Sequence, residues 1–290
     1  MRRPGAVALL GLAAFAAAAQ QPVTWSIAPH ATDARLAAGE PAHWVAYDPA
    51  TAGPLLVWLP GTGGQPERGP KALFAEVLGE GYRLVALSYH DTPAVAQVCT
   101  PARLRMQPAC AAQFRQQRAW GDQSGAPVDD RPEDAIVPRL SQLLRHLAGQ
   151  DPAGHWQGYL DGNEPRWSRI VLMGQSQGGG MAAFIAQTRA VAGVVVFSGG
   201  WDHGANGDIA AWYRRRSVTP LERWQATYNA QEPQAGTLER IYRTLGIPAA
   251  QVHVLDLPVV TRLPHTDGVG NAAYAPLWRE MLNAVKPQQP

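Results

Sequence analysis

Gly174-Gln175-Ser176-Gln177-Gly178 is the stretch of this sequence most clearly arranged for chemistry. A serine hydroxyl becomes a useful nucleophile where the chain turns sharply from a strand into a helix, because the strained turn lifts Oγ clear of the surrounding backbone. Glycines two residues to either side let neighbouring backbone pass close without a Cβ clash. The helix that follows brings its positive N-terminal end near developing negative charge. The flanks supply this context, with the apolar run Ile170 to Met173 before the serine and the helix formers Ala182, Ala183 and Ile185 after it.

Such a serine needs a base further along the chain and an acid that orients the base. Three histidines follow Ser176. His203 comes too soon after the strand ending at Phe197, and His253 lies inside an alternating strand. His265 falls in the loop between the last strand and the last helix, beside Pro264, Thr266, Asp267 and Gly268, and is the expected general base. For the acid, Glu232 is expected, in the loop after a strand Trp224–Tyr228 that ends at Pro233. Asp202, after the preceding strand, is the alternative, and Asp256 a third candidate set close to His265 in sequence. The negative oxygen formed during attack needs backbone N–H donors. Gln177 offers one by position, and Thr62, in the loop Pro60-Gly61-Thr62-Gly63-Gly64, is the expected second because Gly61 lets the next N–H turn inward.

These residues must be carried by a scaffold that alternates strands and helices. Strands are expected at Val23–Ile27, His43–Tyr47, Leu55–Leu59, Arg83–Ser88, Ile170–Met173, Gly193–Phe197, Trp224–Tyr228 and Val252–Leu257. Helices are expected at Pro70–Gly79, Pro132–Leu147, Gly178–Thr188, Thr237–Leu245 and Ala272–Val285. The segment from Thr92 to about Asp129 lacks clear periodicity and reads as an irregular excursion, or partial lid. Leu55–Leu59 is continuously apolar, as a strand buried on both faces must be. The alternation implies an open, mostly parallel sheet with function at the carboxyl ends of its strands.

Composition narrows the function further. The chain has 290 residues, 46% of them hydrophobic and 17% charged, enough for a sizeable core. Met1-Arg2-Arg3, the apolar stretch from Ala6 to about Ala16, and Ala17-Ala18-Ala19 read as a signal peptide over residues 1–19, followed by one domain over residues 20–290. Without Arg2 and Arg3 the basic and acidic residues balance at 23 each, which argues against a nucleic-acid binder. Beyond the N-terminus no apolar run is long enough for a membrane span. Export to the periplasm or the medium makes Cys99 and Cys110 an expected disulfide, with a loop-entropy contribution of about 3 kcal/mol. Two cysteines without nearby paired histidines do not make a zinc site, and no metal or cofactor is expected. Among ten tryptophans, Trp201 follows a strand end on the serine's rim, where it can wall an apolar acyl or aryl pocket, stack on a sugar, or simply pack in the core.

The set LVWLPGTGG, IVLMGQSQGGG, VVVFSGGWD and LPHTDG resembles the α/β-hydrolase superfamily, particularly its secreted bacterial members, over nearly the whole stretch from Val23 to Val285. The resemblance implies an eight-stranded, mostly parallel sheet and a Ser-His-acid triad. Gln175 stands where relatives more often have His or Asp, and is expected to alter only local hydrogen bonding. Pro60 stands where many have His, which bears on the oxyanion donor. The function these features imply is hydrolysis of carboxylic esters, small or polymeric, by a monomeric exported serine hydrolase. An acyltransferase or peptidase on the same triad, or a non-catalytic binding protein, are the alternatives.

Overall fold

All five residues of Leu55–Leu59 are buried, and they face alternately into two apolar layers. Leu55, Val57 and Leu59 enter one layer, Leu56 and Trp58 the other. This is the pattern of a central strand covered by helices on both sides. The structure is a computed structural model that describes residues 21–123 and 125–287; the expected signal peptide lies outside the described residues.

In chain order the elements begin with β1 (Val23–Ile27), α1 (Pro29–Thr32), β2 (His43–Tyr47), β3 (Leu55–Leu59), α2 (Lys71–Gly79) and β4 (Arg83–Ala86). There follow α3 (Val95–Val98), α4 (Pro101–Met106), α5 (Cys110–Trp120) and α6 (Ile136–Gln150), then a small hairpin of β5 (Leu160–Asp161) and β6 (Glu164–Pro165). The second half runs β7 (Ile170–Gln175), α7 (Gln177–Thr188), β8 (Gly193–Phe197), β9 (Trp224–Asn229), α8 (Ala235–Leu245), β10 (Val252–Leu255), α9 (Pro264–Gly270) and α10 (Ala275–Val285).

The main sheet has eight strands in the order β1-β2-β4-β3-β7-β8-β9-β10. Strand β2 pairs antiparallel with both neighbours, and every pairing from β4 to β10 is parallel. Helices α2, α9 and α10 contribute to the apolar layer on one face, and α5, α6, α7 and α8 to the layer on the other. This is the α/β-hydrolase fold. Among the described residues no helix is long and apolar enough to cross a membrane.

The segment after β4 departs from expectation, for it is helical rather than irregular. Helix α5 turns Arg115, Gln117 and Arg118 inward with Phe114 and Ala119, so its buried face carries charge and shows no apolar period. Cys99, at the end of α3, is bonded to Cys110, the first residue of α5. The helix expected at Pro132–Leu147 starts later. Pro132–Asp134 is a separate 3₁₀ turn in which the Asp134 carboxylate accepts from the Arg131 N–H and guanidinium, and α6 begins at Ile136. Likewise Ala272–Tyr274 is a 3₁₀ turn ahead of α10. The expected strands Arg83–Ser88 and Val252–Leu257 end two residues early, at Ala86 and Leu255. His265 lies in the first turn of α9, started by Pro264, and not in a loop.

Candidate active site

Strand β7 delivers the chain into a turn whose backbone only a tight packing arrangement can hold. Ser176 has φ +56° and ψ −120°, outside the regions a serine prefers. Its N–H donates to the Phe197 carbonyl at 3.0 Å, and its carbonyl accepts from the Gly180 N–H at 3.0 Å. The flanking glycines explain the spacing in the sequence. A Cβ on Gly174 would lie 2.4 Å from the Gly178 carbonyl carbon, and one on Gly178 would lie 2.0 Å from the Leu59 carbonyl oxygen. The Gln177 N–H is the first of α7, in the group of donors that have no partner within the helix.

Two further strands bring the other residues to the same edge of the sheet. Glu232 sits in the turn after β9, and its buried carboxylate has all its partners within reach. Oε1 accepts from the Asn229 N–H at 2.9 Å and from the Ser198 hydroxyl, and Oε2 accepts from Nδ1 of His265 at 2.7 Å. Burial raises the carboxyl's pKa, but the hydrogen bonds from His265, Ser198 and Asn229 outweigh it and hold the group below its ordinary range. A carboxylate at Nδ1 places the ring proton there and leaves the lone pair on Nε2. Ser198, at φ +44°, takes this strained position directly after β8 and so aims its hydroxyl at Glu232.

The Nε2 lone pair of His265 already has a donor. Gln175 Nε2 lies 3.0 Å from it and 3.1 Å from the His265 carbonyl oxygen. Among the described residues no hydrogen bond joins Ser176 Oγ to His265. Trp201 packs edge-on to the imidazole, with ring centroids 4.9 Å apart and planes at 69°.

The loop after β3 is pinned from β4 and the residues beyond it. Tyr89 donates its hydroxyl to the Pro60 carbonyl at 2.7 Å, and Asp91 Oδ1 accepts the Gly63 N–H at 3.1 Å. Desolvation pushes the Asp91 carboxyl up, against the hydrogen bonds it accepts. Thr62 thereby lines a cavity of about 50 Å³ together with Ser176, Gln177, Val95 and Trp201.

The remaining candidates fall elsewhere. Asp202 is wholly engaged by other partners: Arg115 Nε to Oδ2 at 2.5 Å, Arg115 Nη2 to Oδ1 at 2.6 Å and Trp212 Nε1 to Oδ2 at 2.9 Å. Asp256 is exposed, His203 is exposed, and His253 bonds Gln225 at 2.8 Å. Sequence reasoning missed Ser198, and it expected Gln175 to alter only local hydrogen bonding, without naming His265 as its partner. Glu40, His90 and Asp134 bring ligand-type atoms within 4.8 Å of one another, but the Arg139 guanidinium reaches all three. A cation is therefore already in place there.

No family model matches the chain, and no curated protein matches it. Solved structures similar to it include a protein from Klebsiella pneumoniae provisionally named a dienelactone hydrolase, at 13% identity and a TM-score of 0.45, covering 92% of this chain and 99% of that one. A hormone-sensitive lipase from a metagenome library is similar at 14% identity and a TM-score of 0.46, covering 85% and 82% of the two chains. An esterase of Pyrococcus furiosus is similar at 14% identity and a TM-score of 0.47, covering 83% and 86%.

Proposed function

We propose that this protein is a serine hydrolase that cleaves carboxylic esters through an acyl-enzyme. The observation that carries the reading is the convergence at one edge of the sheet of a serine held at φ +56° on a strand-to-helix turn and a His265–Glu232 pair at 2.7 Å. Ser176 Oγ attacks the ester carbonyl as His265 Nε2 takes its proton. Gln175 must release that nitrogen for the transfer, a small rotation of a terminal amide. Glu232 holds the Nδ1 proton and stabilises the imidazolium. The carbonyl oxygen, now negative, lies against the N–H groups of Gln177 and Thr62. The imidazolium then protonates the departing alcohol, and water activated by the same nitrogen hydrolyses the acyl-serine.

Export of the chain belongs to the same reading, and it accords with the bond between Cys99 and Cys110, since such bonds persist in oxidising compartments. The test is hydrolysis of p-nitrophenyl esters by the wild type and by Ser176→Ala. The variant should keep less than about one per cent of kcat/KM while its Tm stays within a few degrees. Equal activity of the two proteins would remove Ser176 from the reaction.

A further inference from the structure

Beside the small cavity at Ser176 lies a larger one of about 320 Å³, and the two share Val95, Ala96, Trp201 and Asp202 as walls. Its other walls include Cys99 and Leu104 from the helices after β4, Ala111 from α5, and Ala205 from the loop after β8. We infer that this cavity is the acyl-chain site, and that the enzyme's substrates are esters of neutral, unbranched aliphatic acids several carbons long. The inference rests on the hydrolase reading above and specifies which part of the ester goes where.

Direction follows from the position of the base. The alcohol must leave next to His265 Nε2, which supplies its proton, so the alcohol occupies the side of Ser176 where the imidazole stands. His265 lines neither cavity. Thr62 and Gln177, the proposed donors to the carbonyl oxygen, line the smaller one. The acyl chain, held at its carbonyl by those donors, therefore extends away from His265, past Trp201 and into the larger space. Trp201 meets the imidazole edge-on and lines both cavities, so it separates the alcohol side from the acyl side.

Chemistry follows from the walls. Val95, Cys99, Leu104, Ala111 and Trp201 are apolar, and the carboxylate of Asp202 is turned onto Arg115 and Trp212. Among the described residues neither a lysine nor an arginine lines this cavity, its histidine, His203, is an exposed side chain, and an apolar chain gains from leaving water. The disulfide belongs to this site as well. It ties the end of α3 to the start of α5 across α4, fixing the three helices that form one wall.

Each methylene buried should raise kcat/KM about fourfold, until the cavity is full. The experiment measures kcat/KM for p-nitrophenyl acetate, butyrate, hexanoate and octanoate with the wild type, Ala205→Trp and Ala96→Trp. Ala205 is half-buried and Ala96 exposed, so at least one bulky replacement should be accommodated by the fold. The wild type should show a rising series, and each folded variant should lower the octanoate-to-acetate ratio by about tenfold or more. The double variant Cys99→Ser/Cys110→Ser should lower the same ratio. A flat wild-type series, or a series unaltered by either tryptophan, would overturn the acyl site while leaving ester hydrolysis intact. A folded wild type that cleaves none of the four esters would overturn the hydrolase reading and this site with it.

Discussion

Gln175 and His265 are joined twice: the glutamine amide donates to the imidazole Nε2 at 3.0 Å and to the backbone carbonyl of the same histidine at 3.1 Å. In the proposed mechanism, Gln175 therefore holds the very nitrogen that takes the Ser176 proton. The amide is neutral and can give way.

Replacing that amide by a carboxylate should not be benign. Gln175→Glu places an acceptor at Nε2, favours the doubly protonated ring and removes the lone pair that takes the serine proton. The expected loss in kcat/KM at neutral pH is on the order of 10², the lower end of what general base catalysis contributes. Gln175→Ala removes the competing donor without adding charge, and should stay within about tenfold of the wild type. Steady-state kinetics on one activated ester decides it. Similar losses in both variants would mean that Gln175 matters only for packing.

The acid assignment separates by two readouts. Glu232→Gln keeps the size of the side chain but loses the charge that orients and stabilises the imidazolium, so kcat should fall on the order of 10⁴. Asp202→Asn should instead lower stability, by about 3 kcal/mol, because it leaves the buried Arg115 guanidinium without its counter-charge. Its remaining folded enzyme should be far more active than Glu232→Gln. Denaturant titration alongside activity distinguishes them; the larger catalytic loss in folded Asp202→Asn would reverse the assignment.

How much of this was legible in the sequence depended on how local each signal was. The turn at Ser176 is written within five residues, because Gly174 must pass against the Gly178 backbone and Gly178 against that of Leu59, and that requirement shows in residue type. Most strand positions were legible because a sheet covered on both faces demands continuous apolar runs such as Leu55–Leu59. The helices after β4 were not, since Arg115 and Arg118 face inward to meet Asp202 and Asp130, partners distant in sequence. Helix α9 was hidden by its glycines. A Cβ on Gly268 would meet Leu255 Cδ1 at 2.6 Å, and the Gly268 carbonyl accepts from Trp278 Nε1 at 2.8 Å, so tertiary packing overrides weak local propensity. The grip of Gln175 on His265 spans ninety residues of sequence and leaves no local trace.

Away from the site, His90 gives the fold a pH-dependent element. The hydrogen bond to Asp130 at 3.1 Å, and then the Glu40 carboxylate 3.8 Å away, raise its pKa to about 9, against burial and the neighbouring Arg139. Glu40 is held down at about 2, where burial opposes the nearby His90 and the hydrogen bonds from Arg139. Because folding raises the histidine's pKa, its stabilisation is complete below about 6.5, its unfolded value, and is lost as pH climbs through about 9. His90→Gln should therefore lower Tm most near pH 6 and least above about pH 9. Thermal unfolding of both proteins across this range checks it; a Tm deficit that does not shrink with rising pH would show that the charge on His90 is not what stabilises.

The central claim is that Ser176 Oγ is the atom that becomes acylated. The most direct measurement is intact-protein mass spectrometry after treatment with a fluorophosphonate, followed by peptide mapping. The wild type should gain one adduct, on the peptide containing Ser176, and lose its esterase activity in proportion. Ser176→Ala should gain none. An unmodified wild type, or an adduct on another residue that inactivates the enzyme, would contradict the account.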